Sequence, residues 1–304
     1  MKYPLHDELK SLNDNKMPAK PEVIPMINEV MKLSKCEADE FVNVKEIKIA
    51  GYRAEPITTY IIEPKDKKVD IPCLVFFHGG GFMLKASAAH YELAKEYAAK
   101  TPCVVVYVDY RLAPEYQFPV PVEDCYAAYK WTLEHTRELS VDRNCIIVGG
   151  DSAGGNLAAA VTLMARDRGL QLPRYEMLIY PVTDRRMITR SMIDYIDTPV
   201  WDSIWSKMMW ECYLGEQEPE KIEYASPVEA SSFENFPPTY FEVAEFDCLR
   251  DEGILLYNKL KEVGVEVEIH EIKNACHGYE TAIESSITRN AMARRIKRLQ
   301  ELIN

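Results

Sequence analysis

The 304-residue chain lacks any apolar run approaching the ~20 residues that a bilayer-spanning helix requires. Its first residues, Met1-Lys2-Tyr3-Pro4-Leu5-His6-Asp7-Glu8, hold no apolar stretch of the kind that directs secretion. A soluble, cytoplasmic protein without stable membrane insertion is expected. Basic residues are the minority: 36 Lys and Arg against 48 Asp and Glu leave a formal charge of −12. That balance argues against nucleic acid or an anionic membrane as a partner. There is no C-x-x-C, and the 8 cysteines are scattered. Cys73, Cys103 and Cys145 open apolar runs, where a free thiol acts as a small buried hydrophobe. His270, Cys276 and His277 lie close together without the spacing of a zinc site. No G-x-G-x-x-G or Walker pattern supports a nucleotide, and no S-x-x-K is present. No metal or organic cofactor is expected. Internal repeats and low-complexity tracts are also missing.

What is there is a regular alternation of extended and helical segments. The strand candidates are 41–49, 58–62, 73–77, 103–109, 145–148, 177–180, 239–243 and 265–272. The central ones are almost continuously apolar, as in parallel strands buried on both faces. Helical patterns fall at 91–100, 122–136, 155–168, 251–263 and 286–302. The alternation predicts an α/β protein: an open, mostly parallel sheet with helices on both faces and its active loops at the carboxyl ends of the strands. Two segments break the pattern. Residues 1–40 include an amphipathic stretch, 23–33, and residues 185–223 carry Trp201, Trp205 and Trp210 with four methionines. The spacing of Trp201 and Trp205 puts both on one helix face. A small satellite core and a lid over an apolar pocket both account for this composition.

The most informative stretch is Gly150-Asp151-Ser152-Ala153-Gly154, between the apolar run 145–148 and the helical run from Gly155. A serine at the apex of a strand–turn–helix projects its hydroxyl away from the sheet. Gly150 and Gly154 sit where the backbone crosses itself, leaving no room for a Cβ. Asp151 reads as structural. The second cluster is His78-Gly79-Gly80-Gly81, directly after the run 73–77. Successive glycines let N–H groups approach a substrate unobstructed, so Gly80 and Gly81, with Ala153, are the candidate oxyanion donors. His78 is assigned to holding that loop. A general base should follow a late strand, which selects His277; His6, His90 and His135 read as ordinary surface or packing residues. The acid that orients His277 is assigned to Asp247 at the end of the run 239–246. Asp251 is the competitor and reads as an N-cap or first-turn acid.

The motifs HGGG at 78–81, Asp109-Tyr110-Arg111-Leu112-Ala113-Pro114-Glu115, GDSAGG at 150–155, Asp247 through Gly253 and His277-Gly278-Tyr279 occur in this order. Together the chain resembles the hormone-sensitive-lipase-like esterases of the α/β-hydrolase superfamily over about residues 70–280. Arg111 and Glu115 in this series read as members of ion pairs. Where the family usually has proline after the acid, Cys248 stands here, and the aromatic after His-Gly is Tyr279. The resemblance implies an eight-stranded core with a helical cap, divided as an N-terminal cap segment 1–40, core 41–184, cap insert 185–223 and core 224–304. It implies a serine carboxylesterase acting through Ser152, Asp247 and His277 on short- to medium-chain acyl esters by way of an acyl-enzyme. The alternatives are an amidase or deacetylase with the same triad, or a binding protein on the same scaffold. The plant gibberellin receptors are such a case, but they lack the histidine retained here. The partner expected is a small-molecule ester. Many relatives pair through their last strand and helix, so a homodimer is compatible with the resemblance.

Overall fold

Segments that are apolar on every residue become the centre of a sheet. A computed structural model of the chain describes residues 3–14, 18–216 and 218–302. The eight strands are β1 Val42–Ala50, β2 Pro56–Pro64, β3 Ile71–Phe77, β4 Val104–Asp109, β5 Val141–Asp151, β6 Tyr175–Ile179, β7 Thr239–Phe246 and β8 Val267–Cys276. They pair in the order β1-β2-β4-β3-β5-β6-β7-β8. The β1–β2 and β2–β4 pairs are antiparallel, and every pair from β4 through β8 is parallel. Every residue of β3 and β6 is buried, whereas β8, the edge strand, is largely half-exposed. Continuous hydrophobicity is what a strand covered on both faces requires.

Among the described residues the nine α-helices are α1 Ile24–Met31, α2 Ala88–Lys100, α3 Val120–Glu134, α4 Thr136–Leu139, α5 Ala153–Asp167, α6 Arg190–Asp194, α7 Ser203–Leu214, α8 Arg250–Glu262 and α9 Ser286–Glu301. One core contains Val75, Val106, Val148, Leu157 and Leu256, and so joins α3, α5 and α8 to one face. The other contains Leu74, Val105, Ile147, Tyr97 and Met292, and so joins α2 and α9 to the opposite face. Each fully buried Val, Leu or Ile contributes about 1.5–3 kcal/mol relative to leaving it in water. α5 is buried from Ala153 through Ala165, because it lies in the middle of a covered layer. All eight cysteines are free, and only Cys145 is not buried. Among the described residues, no helix is long and apolar enough to cross a membrane.

The two segments that broke the alternation lie outside the sheet. α1 buries Ile24 and Ile27 while Met26 and Val30 face solvent. Asn28 ties α1 to the loop after β3, donating to the Met83 carbonyl at 2.9 Å and accepting the Lys85 N–H at 2.8 Å. In the insert, Asp202 caps α7 by accepting the N–H groups of Ile204 and Trp205. The helix therefore starts after Trp201, and the two tryptophans do not share a helix face. They pack instead across the cap, with ring centroids 5.4 Å apart. Tyr213 of α7 stacks on Phe82 at 3.8 Å, which seats the insert against the glycine loop.

Arg111 forms a bidentate pair with Asp124 of α3, at 2.7 and 2.8 Å. Arg111 is thus in an ion pair, as expected, whereas Glu115 is exposed and makes none among the described residues. The chain's beginning straps its end: the His6 N–H donates to the Asn274 carbonyl at 2.8 Å, Asn274 Nδ2 to the Pro4 carbonyl at 2.9 Å, and Ser286 N–H and Oγ to Glu8 at 2.6 Å.

Candidate active site

The site is assembled where β3, β5, β7 and β8 end. Ser152 sits between β5 and α5 with φ 55° and ψ −118°. That conformation is costly for a side-chain-bearing residue and persists because the surroundings enforce it. Its N–H donates to the Ile179 carbonyl at 2.8 Å, and its own carbonyl accepts the Val182 N–H at 3.1 Å. A Cβ on Gly154 would lie 1.9 Å from the Phe77 carbonyl oxygen, and one on Gly150 would lie 2.3 Å from the Gly154 carbonyl carbon. The steric reading of both glycines is thus realised in the fold.

His277, just past β8, bridges the serine and the acid. Its Nε2 is 2.9 Å from Ser152 Oγ and its Nδ1 is 2.7 Å from Asp247 Oδ2. Asp247 Oδ1 accepts the Leu249 N–H at 2.9 Å. A buried carboxylate on Nδ1 fixes the proton there and leaves the Nε2 lone pair for the serine hydroxyl. Asp251 lies in the first turn of α8, where its carboxylate accepts the Ser191 N–H of the cap at 2.8 Å and pairs with Arg250. Of the two acids, only Asp247 meets the histidine.

The loop after β3 turns on Gly80 and Gly81, with φ values of 104° and 60°. A Cβ on Gly81 would lie 2.4 Å from the Trp201 ring. The Gly80 carbonyl closes the turn by accepting the Met83 and Leu84 N–H groups at 3.1 and 2.9 Å. The Gly79 N–H is taken by Asp151 Oδ1 at 3.0 Å. Among the described residues, nothing accepts the N–H groups of Gly80, Gly81 or Ala153. His78 is fully buried, its Nδ1 on the Gly79 carbonyl at 2.7 Å and its ring on Tyr110 at 4.5 Å. Burial drives its pKa down to about 3, so it stays neutral and holds the loop.

His90 is not an ordinary surface or packing residue. Its Nε2 is 3.2 Å from Asp151 Oδ2, and its Nδ1 accepts the Ser87 N–H at 3.0 Å. It therefore links α2 to the residue beside Ser152. Burial opposes charge on this ring while Asp151 favours it, and the net direction of its pKa is upward. The Ser87 N–H nonetheless requires an unprotonated Nδ1 in this geometry, which is the neutral Nε2–H form. Nothing in the spacing of His90 and Asp151, 61 residues apart, announces the contact. Burial also pushes the Cys276 thiol up to about 12, which keeps it an inert neighbour of His277.

A cavity of about 460 Å³ opens over Ser152 and His277. Ile27 and Met31 of α1, Leu84, Val200 and Trp201 supply apolar walls. The His277 ring packs against Tyr180 at 4.6 Å and Trp201 at 6.2 Å. Among the described residues, no three His, Cys, Asp or Glu side chains are grouped to hold a metal ion.

Comparison with known proteins agrees with this geometry. Residues 74–281 match the model of a family described by the alpha/beta hydrolase fold. The chain is 36% identical over 234 residues to the esterase LipI of Mycobacterium tuberculosis, covering 74% of this chain and 72% of that one. It is 33% identical to the carboxylesterase NlhH of the same species, over 69% and 67% of the two chains. Among solved structures, a bacterial heroin esterase superposes with a TM-score of 0.90 at 30% identity, over 100% of both chains. An esterase of Pyrobaculum calidifontis superposes at 0.89 and 32%, over 99% and 100%. Fold, motif order and these likenesses agree: the chain belongs to the α/β-hydrolase family, in its hormone-sensitive-lipase-like esterase branch.

Proposed function

We propose that the protein is a serine carboxylesterase that works through an acyl-enzyme. The observation that carries this reading is the single imidazole within hydrogen-bond reach of both Ser152 Oγ and Asp247 Oδ2. His277 Nε2 takes the serine proton as Oγ attacks the ester carbonyl, and Asp247 stabilises the imidazolium. The charge that develops on the carbonyl oxygen is met by the N–H groups of Gly80, Gly81 and Ala153. His277 then returns the proton to the leaving alcohol. Water, deprotonated by the same nitrogen, releases the acid and restores Ser152.

The cap over this chemistry consists of residues 1–40 and 185–223, and the core of 41–184 and 224–304. A cavity of about 460 Å³ with apolar cap walls is toward the lower end of the roughly 300–1,000 Å³ typical of small-molecule sites. That size supports short- to medium-chain acyl esters as the substrate class, and the likeness to an esterase and a carboxylesterase supports ester hydrolysis itself.

Ser152→Ala is expected to keep its circular dichroism spectrum and melting temperature while hydrolysis of p-nitrophenyl acetate falls by roughly 10⁴ or more. A fluorophosphonate probe should add to the wild type at Ser152 alone. Retained turnover in the variant, or labelling elsewhere, refutes the mechanism. Across p-nitrophenyl esters from acetate to palmitate, kcat/KM should peak at or below octanoate; a peak at palmitate overturns the size assignment.

A further inference from the structure

The cavity is not apolar throughout. Away from the cap it is bounded by His90, Asp151, Glu280 and Arg295, a group of ionisable side chains that the hydrolytic cycle does not use for proton transfer. Arg295 of α9 is 1% exposed, and its donors are committed. Nε bonds Glu242 Oε2 at 3.2 Å, Nη1 bonds Tyr97 Oη at 3.3 Å and Glu280 Oε1, and Nη2 bonds Glu242 Oε1 and Tyr279 Oη. Asp151 is satisfied by Gly79 and His90. Glu280 differs. It is 5% exposed, yet only its Oε1 has a partner. Among the described residues, nothing donates to Oε2, and Oε2 is not one of the fully enclosed unpartnered atoms. Because Glu280 lines the cavity over Ser152, that oxygen keeps its access from the cavity side.

The charges do not balance either. Two carboxylates, Glu242 and Glu280, pair with one fully buried guanidinium, a third, Asp151, lines the same cavity, and Arg294 reaches Glu242 at 3.8 Å from the surface. A nearly buried carboxylate with a free oxygen is expensive to leave without a donor. Burial, together with the nearby Asp151, raises the Glu280 pKa despite the opposing pull of Arg295.

We propose that Glu280 is a specificity-determining residue, whose free carboxylate oxygen receives a hydrogen-bond donor, a hydroxyl or an ammonium, carried by one of the two substituents of the ester. This rests on the esterase reading above and narrows its substrate class: one end of the substrate is polar and donating, and the rest is short and apolar. A hydrogen bond to a charged group is worth roughly 1.5–3 kcal/mol, or on the order of tenfold to a hundredfold in kcat/KM.

The test uses matched esters that differ only in the terminal group. p-Nitrophenyl hexanoate is compared with its ω-hydroxy and ω-amino analogues, and hexyl acetate with ω-hydroxyhexyl and ω-aminohexyl acetate. The wild type should prefer a donor-bearing member over its alkyl partner by tenfold or more on one side of the ester. The amino and hydroxyl arms distinguish the two donors. Glu280→Leu should abolish the preference. Glu280→Gln keeps the shape and the contact with Arg295; it should lose an amino preference and retain most of a hydroxyl preference. No preference on either side of the ester, with the alkyl members hydrolysed, overturns the proposal and leaves the esterase reading standing. A preference unchanged in both variants also overturns it. Failure to hydrolyse any alkyl member strikes the esterase reading itself.

Discussion

The cavity has two walls of different construction. On the core side, Ser152, Gly80, Gly81 and Ala153 are held by backbone crossings so close that a single Cβ on Gly154 would overlap the Phe77 carbonyl. On the cap side, Ile27, Met31, Val200 and Trp201 present side chains whose loss leaves space without a clash. One wall tolerates no added atom, and the other can change shape at the cost of packing alone. The contrast teaches why chemistry and selectivity separate in such a fold: donors and nucleophile need fixed positions, while the surface that measures the substrate need only be apolar and of suitable size.

The comparison breaks most visibly at the acid. Asp247→Asn should lower kcat by about 10⁴ by analogy with the serine-protease triad, with the fold retained. Asp251→Asn should change kcat less than about tenfold, since that carboxylate meets only the cap and Arg250. If the second variant is the worse of the two on p-nitrophenyl acetate, the acid has been misassigned.

A smaller effect is expected on the cap wall. Trp201→Ala opens the space over His277 and Gly81, so kcat/KM for the acetate should fall by on the order of tenfold, while the ratio of decanoate to acetate should rise. An unchanged ratio would mean that the cap does not set the size of the substrate.

The smallest effect lies under the core wall. Glu176 on β6 is fully buried, and burial raises its pKa to about 8 against the pull of Thr162 and Thr239. Between its ordinary value of 4.5 and about 8, the folded state holds a proton that the unfolded state has released. Its contribution to stability therefore falls as pH rises through that window and levels off above it. Glu176→Gln removes the dependence, so its melting temperature relative to wild type should climb by on the order of a few degrees between about pH 5 and about pH 8. A constant difference would place the Glu176 proton elsewhere.

Local signals were legible in the sequence; pairings across the chain were not. β3 and β4 followed from almost unbroken apolar runs, β6 from the run 177–180 although it begins earlier at Tyr175 and takes in Glu176, and the elbow at Ser152 from glycines whose role is steric and local. α2 begins at Ala88, ahead of the expected start, because Ser87 caps it, and β5 begins at Val141, earlier than its apolar centre. The choice of Asp124 as the partner of Arg111, the link from His90 to Asp151, and the free oxygen of Glu280 all depend on which elements become neighbours. No periodicity encodes that. Asp202 is what keeps Trp201 out of the helix that its spacing from Trp205 suggests, because an N-cap aspartate marks where a helix begins.

The strap of Pro4, His6 and Glu8 across Asn274 and Ser286 brackets the segment that carries His277. β8 has a neighbour on one side only, so the His277 imidazole hangs from an edge of the sheet and is steadied by residues from near the start of the chain. Trimming those few residues, or crowding them with a bulky fusion, would loosen His277 while Ser152 stayed rigid. Heat should act in the same order, silencing turnover before the sheet itself melts.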